Sequence, residues 1–307
     1  MNIAIVVNPR SGRGKSVNGA RLIESILRER GHRYQTLETG SDQQELCDVI
    51  TDSDRVLVLG GDGTVHHLLP ALEQTQTPMY HFGTGTANLI SKEFGMSKTP
   101  QIVVEHLERD VEPLFVDLPT CNGTPFLIMV SIGIDASVIH RFQEARSHKG
   151  GYRAYIQPIL RELFSPRPAS FSVETNANPP YSQAGILIVS NLRSYGGGLN
   201  PCPHANPCDG QLDAVVLPCR SSLNAGVQYG YLKIRRSMPN TKRMIGERFR
   251  IQCSGSSAYV QVDGEKADRI DGLVDGRVER DQYLDIALDG SQILIHSPES
   301  HHSRNVR

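Results

Sequence analysis

Four apolar residues, Val56-Leu57-Val58-Leu59, run directly into Gly60-Gly61-Asp62-Gly63-Thr64, and the stretch from Val65 to Leu69 then reads as the start of a helix. A short buried strand that ends in three glycines, one carboxylate and one hydroxyl is suited to holding something polar against bare backbone. Glycine admits positive φ and lets a bulky anion approach main-chain N–H groups. A helix that begins there aims its N-terminal dipole at the same spot. Taken alone, the stretch predicts a phosphate-rich ligand, with a nucleotide the leading candidate.

The surrounding pattern extends that unit into a domain. Strand-like runs at 2–7, 33–38, 55–59 and 79–82 alternate with helical runs, the signature of a parallel α/β sheet. In the helix expected over 17–30, Leu22, Ile23, Ile26 and Leu27 form the apolar stripe. A last helix is expected over 99–108. From about Leu114 the apolar segments become strand-like and are separated by Gly, Pro and Asn: 126–130, 171–175, 186–189, 212–217, 249–253 and 259–262. That texture predicts an antiparallel sandwich, interrupted by helices near 152–163 and 223–236. The expected architecture is an α/β nucleotide-binding domain over 1–113 and a β-sandwich-rich domain over 114–288. A cleft between the two and a frayed tail over 299–307 complete it.

Composition narrows the partners. With 307 residues and a formal net charge of −1, the chain carries no global basic field, so no nucleic-acid partner is expected. The N-terminus enters a strand pattern at once, without the basic and apolar regions of a secretory signal. No apolar run approaches the roughly 20 residues that span a bilayer. The six cysteines are scattered, apart from Cys202 and Cys208, which suits reduced thiols and a cytoplasmic setting.

Two more glycine-bearing turns join the first. Asn8-Pro9-Arg10-Ser11-Gly12-Arg13-Gly14-Lys15 follows the first strand and precedes a helix, without Walker spacing. Gly83-Thr84-Gly85-Thr86-Ala87-Asn88 follows the strand at 79–82. Three such loops at the carboxyl ends of strands fit a nucleotide lying across the sheet edge.

These loops, taken in order, resemble the signatures of the diacylglycerol kinase catalytic family, which includes bacterial lipid kinases and sphingosine kinases. The likeness runs on through Gly133-Ile134-Asp135-Ala136, Lys149-Gly150, Tyr152, Ala154-Tyr155, Ser190-Asn191 and Gly196-Gly197-Gly198. It closes with Pro203, Asp209-Gly210-x-Leu212-Asp213 and Val262-Asp263-Gly264-Glu265. NAD kinases and phosphofructokinases share the Gly-Gly-Asp-Gly element, so the start at Asn8, the triple glycine and the late Asp-Gly-Glu carry the lipid-kinase assignment.

The resemblance implies ATP in the interdomain cleft and a chain that rejoins its first domain near 289–298. It implies that Glu265 takes the proton from a lipid alcohol and that Asp62 orients Mg²⁺ or phosphate. Gly60, Gly61, Gly63 and Thr64 would cradle phosphates, with Asn8, Ser11, Gly12, Thr39, Thr86 and Asn88 completing the ATP contacts. Asp209 matches a structural Mg²⁺ or Ca²⁺ site that would add carbonyls of Asn206 and Gln211. Cys202, His204 and Cys208 form a rival zinc set.

On the residues alone, Asp263-Gly264 is equally a good hairpin turn. His66 and His67 stand where the family often has Asn and Glu, and Leu89 where many members have Asp. A basic run, Lys233, Arg235, Arg236, Lys242, Arg243, Arg248 and Arg250, reads either as a solvated face or as a dock for anionic headgroups at the inner face of a membrane. The leading expectation is an ATP- and Mg²⁺-dependent kinase for a diacylglycerol-like lipid. A sphingoid-base or other alcohol kinase, a regulatory nucleotide binder and a homodimer stay open.

Overall fold

The computed structural model describes residues 1–144, 169–176, 179–219, 241–254 and 257–298. The helices expected near 152–163 and 223–236, the residues Lys149, Gly150, Tyr152, Ala154 and Tyr155, the basic residues Lys233, Arg235 and Arg236, and the tail over 299–307 lie outside the described residues. The chain divides into two compact units, Met1–Val116 with a returning segment from Ser291, and Asp117–Gly290.

The first unit alternates strands and helices: β1 (Asn2–Val7), α1 (Lys15–Glu29), β2 (Arg33–Glu38), α2 (Gln43–Thr51), β3 (Arg55–Gly60), α3 (Asp62–Thr75), β4 (Met79–Gly83), α4 (Leu89–Glu93), α5 (Pro100–Leu107) and β5 (Leu114–Asp117). The sheet order is β2-β1-β3-β4, then the returning strand Gln292–Ile295, then β5. The pairs β2–β1, β1–β3, β3–β4 and β4 with the returning strand are parallel. β1 and β3 bury five of six residues each, as strands covered on both faces do, whereas β2 at the edge buries only Leu37.

Two local expectations shift. The apolar face of α1 is Gly19, Ala20, Ile23 and Leu27, while Leu22 is 57% exposed. The helix rolls toward its small residues because a side-chain carbon on Gly19 would sit 3.0 Å from the Phe82 ring. The helix expected from Val65 begins instead at Asp62, with extended Gly61 as its N-cap. Asp62 and Gly63 therefore belong to its first turn.

Buried polar contacts tie the returning segment down. His296 N–H donates to Met79 O at 2.9 Å, and its Nε2 donates to His106 O at 2.8 Å. Tyr80 Oη accepts Ser97 N–H at 2.7 Å and shares a hydrogen bond of 2.9 Å with His106 Nδ1. Burial pushes the Tyr80 hydroxyl up to about 12.

The second unit is antiparallel. Among the described residues, 12 strands are hydrogen-bonded into one continuous set. Alternate residues of successive strands point to one core: Val260 and Val262, Val130 and Ile132, Leu187 and Val189, Phe171 and Val173, Phe249 and Ile251, Leu284 and Ile286. The registers explain this, since Val260 faces Ile132, Ile132 faces Leu187, Ile251 faces Val173, and Leu284 faces Ile251. Strands from both ends of the order share one cluster, so the set folds over on itself as a sandwich. One helix, α6 (Ile134–Glu144), follows the strand Met129–Ile132. Residues 126–128, expected as strand, instead form a buried turn-like approach to that strand.

Candidate active site

In the first unit the three strand-end loops are joined pairwise. Asn8 Nδ2 donates to Thr64 Oγ1 at 2.9 Å, linking the first loop to the second. Ser11 Oγ and Thr84 Oγ1 share a hydrogen bond of 2.8 Å, linking the first to the third. Thr84 N–H donates to Gly60 O at 2.7 Å, and Ile90 N–H donates to Asp62 Oδ1 at 3.1 Å, linking the second to the third. A Cβ on Gly85 would lie 2.7 Å from Gly61 Cα, so these two loops meet backbone to backbone. Gly12 has φ +62, and a Cβ there would fall 2.7 Å from Thr84 O. Only glycine satisfies both the angle and the approach.

Thus Asn8, Ser11, Gly12, Gly60, Gly61, Asp62, Gly63, Thr64 and Asn88 belong to one assembly. Thr39 and Thr86 are exposed at the end of β2 and at the tip of the third loop. Thr39 N–H donates to Val7 O, at the end of β1, at 3.0 Å. His66 and His67 sit one turn further along α3, with rings edge to face at 5.7 Å.

A residue the sequence pattern did not single out supports the loops from below. His81 on β4 is fully buried, donates from Nε2 to Gly60 O at 3.1 Å, and lies 3.0 Å from Ser91 Oγ through Nδ1. A carbonyl can only accept, so the proton is on Nε2, and the single Ser91 hydrogen is offered to Nδ1 and to the His81 carbonyl, 3.2 Å away. Burial pushes the imidazole below its ordinary value, against the opposing pull of Asp62. Its sequence signal is a lone histidine inside the buried strand leading to Gly83.

Two observations test whether a nucleotide fits. The N-terminus of α3 has glycine as N-cap and no side-chain cap, which leaves main-chain donors for an anion. Asn88, held at φ 49 with Nδ2 donating to Gly85 O at 2.8 Å, has a buried Oδ1 with no protein donor. A buried acceptor in that state calls for a ligand donor or a cation. The loop set fits a phosphorylated ligand.

Glu265 lies in the second unit, half-buried on the short strand Glu265–Lys266, which pairs with Ala258–Val262. The turn between them is fixed by Asp263, at φ 52 and 6% exposed. Its Oδ2 accepts Leu127 N–H at 2.9 Å, and its Oδ1 accepts Ile128 and Met129 N–H at 2.7 and 3.0 Å. Asp263-Gly264 is therefore a hairpin turn, and its carboxylate clamps the approach to a neighbouring strand. Glu265 itself accepts from Gln143 Nε2 at 2.7 Å.

The Asp209 loop is a separate feature of this unit. Asp209 Oδ1 accepts Gln211 N–H at 3.0 Å, and Asp117 Oδ2 accepts Gly210 N–H at 2.8 Å. Desolvation raises the Asp209 carboxyl, the Gln211 N–H lowers it, and Asp117 raises it again. Asp213 is raised by burial and then by Asp209. Asn206 is half-buried and Gln211 exposed beside them. The sulfur set is not assembled: Cys202 is buried, donates to Asp213 O at 3.6 Å, and is kept protonated by burial. Among the described residues, no three His, Cys, Asp or Glu side chains group closely enough to hold a metal.

Comparison with known proteins agrees with this division. Residues 2–116 match the diacylglycerol kinase catalytic domain, and residues 128–275 match the YegS C-terminal NAD kinase beta sandwich-like domain. A diacylglycerol kinase of Mycobacterium tuberculosis is 31% identical over 226 residues, covering 70% of this chain and 72% of that protein. A protein named "Probable lipid kinase YegS-like" from Pseudomonas savastanoi pv. phaseolicola is 30% identical over 222 residues, covering 66% and 70%. The crystal structure of a diacylglycerol kinase from Bacillus anthracis str. Sterne superposes with a TM-score of 0.66 at 15% identity, over 96% of each chain, which speaks to the fold alone. By these matches along both units, the chain belongs to the diacylglycerol kinase catalytic-domain family of lipid kinases.

Proposed function

We propose that this protein is an ATP-dependent lipid kinase that transfers the γ-phosphate to the hydroxyl of a diacylglycerol-like lipid. The observation that carries the reading is the pairwise joining of three glycine loops around open backbone, with the Asn88 Oδ1 left without a donor. Main-chain N–H groups at the start of α3 and at the loops bind and orient the phosphates. Asn8, Ser11 and Thr84 keep the loops together, and His81 holds Gly60 from beneath. Thr39 and Thr86 contact the nucleotide from the exposed loop ends. Asp62 would hold Mg²⁺, which would supply neutralisation of the charge that develops on the transferring phosphoryl group. Glu265 accepts the proton of the attacking lipid hydroxyl, and the phosphoryl group passes in line from ATP to that oxygen. Atoms balance as ADP, the lipid phosphate and one proton.

Asp209, with the carbonyls of Asn206 and Gln211, would hold a second, structural Mg²⁺ or Ca²⁺. The partner is a membrane surface, met transiently. Among the described residues no helix is long and apolar enough to cross a bilayer. Of the basic run, Lys242 and Arg250 lie over the Tyr181 and Tyr283 rings, at 5.9 and 4.0 Å, and Arg248 pairs with Asp285.

The discriminating experiment supplies purified protein with labelled ATP, Mg²⁺ and vesicles of either diacylglycerol or a sphingoid base. Labelled phosphatidic acid is expected. Label only in the sphingoid phosphate would move the substrate to the other branch, and ATP binding without any labelled lipid would favour a regulatory nucleotide binder.

A further inference from the structure

Glu265 stands on a strand of two residues, and so short a strand does not by itself fix a carboxylate. Two glutamines from other elements do so. Gln143, on α6, donates from Nε2 to Glu265 Oε2 at 2.7 Å and lies 3.4 Å from Gly264 O. Gln261, 2% exposed, accepts Gly264 N–H on Oε1 at 2.7 Å and donates from Nε2 to Ser131 Oγ at 2.9 Å. Ser131 donates to Asp135 Oδ2 at 2.5 Å, and Tyr195 O–H donates to Asp135 Oδ1.

The direction of each bond follows from its ends. Gly264 N–H can only donate, so it turns Gln261 Oε1 toward itself and Gln261 Nε2 toward Ser131. Ser131 Oγ then accepts from Gln261, and its single hydrogen goes to Asp135. The chain runs one way, from the buried Asp135 carboxylate, through Ser131 and Gln261, to the backbone that carries Glu265. Gln143 completes it from the other side by holding the Glu265 side chain itself. This network gives the Gly133-Ile134-Asp135-Ala136 turn a task that phosphate binding does not.

We propose that Gln143 and Gln261 are positioning residues for the candidate base: Gln261 sets the turn, and Gln143 sets the carboxylate. The inference rests on the reading of Glu265 as proton acceptor. A neutral amide suits the role, since it orients a carboxylate without the neutralising charge that a lysine or guanidinium would bring. A base misplaced by about 1 Å costs on the order of 10²-fold in rate.

The test compares the Gln143→Ala variant with wild type, and again in a Glu265→Gln background. Gln143→Ala should lower kcat by about 10²-fold with KM for ATP within about twofold, and should add nothing once Glu265 is Gln. Amide hydrogen exchange at Gly264–Lys266 should quicken by roughly tenfold while global exchange is unchanged. If Glu265→Gln abolishes turnover but Gln143→Ala leaves kcat unchanged, the positioning role is overturned. If Glu265→Gln leaves turnover intact, the base reading fails and the positioning role falls with it, an outcome distinct from the first because there Glu265→Gln is inactive.

Discussion

Gly85 has no space for a side chain: its Cβ would lie 2.7 Å from the Gly61 backbone. Gly85→Ala must therefore push two loops apart. Overpacking of this kind costs about 1–3 kcal/mol, and calorimetric titration should show ATP binding at least about fivefold weaker. Wild-type affinity in that variant would show that the loop contact does not shape the nucleotide site. The glycine loops themselves are legible in sequence, because glycine is the local mark of close approach. The hydrogen-bond partners are not. Asp263 meets Leu127 across 136 positions and Gln143 meets Glu265 across 122, so no local pattern announces either contact. His81 stands between these cases. Its place in an apolar strand is visible, but its grip on Gly60 depends on how β3 and β4 pair.

At the scale of elements, alternating patterns locate β1, β3 and β4 well, because strands buried on both faces are runs of apolar residues. The faces of helices are harder to read. Leu22 looks like core by spacing, but α1 seats its small residues against Phe82, and packing shape overrides apolarity. The segment 126–128 looks like strand by composition but takes its shape from Asp263. Asp263→Ala would leave three buried N–H groups without an acceptor, and at about 1–3 kcal/mol for each unsatisfied group it should destabilise the fold by roughly 3 kcal/mol or more. Asp263→Asn keeps one accepting oxygen and should lose less. Urea unfolding of the two variants checks the order, and equal midpoints for Asp263→Ala and wild type would refute the clamp.

For the whole molecule, buried imidazoles make stability depend on pH. His81, His106 and His296 are each pushed below the ordinary histidine value, chiefly by burial. The folded state then binds fewer protons than the unfolded chain once the pH drops below the unfolded value of about 6.5. Their contribution is complete above that pH and is lost as the pH falls toward the lower folded values. His296 illustrates the cause, since protonation would add a donor at Nδ1, a buried atom with no partner. Thermal midpoints should be flat from about pH 8 to 7 and fall below about pH 6.5, with a shallower fall for His296→Asn. A midpoint that holds level down to pH 5 would contradict this. The two-unit division and the fold class of each unit could be expected from the alternation of patterns. The tie made by the returning strand could be expected only from the family resemblance.

The most direct measurement is γ-phosphate transfer from labelled ATP into diacylglycerol vesicles by wild type and Glu265→Gln, with ATP affinity determined for both. Labelled lipid phosphate is expected from wild type, with a rate about 10²–10⁴-fold lower in the variant and unchanged ATP affinity. Transfer by the variant at the wild-type rate, or ATP binding with no transfer by either protein, would contradict that expectation.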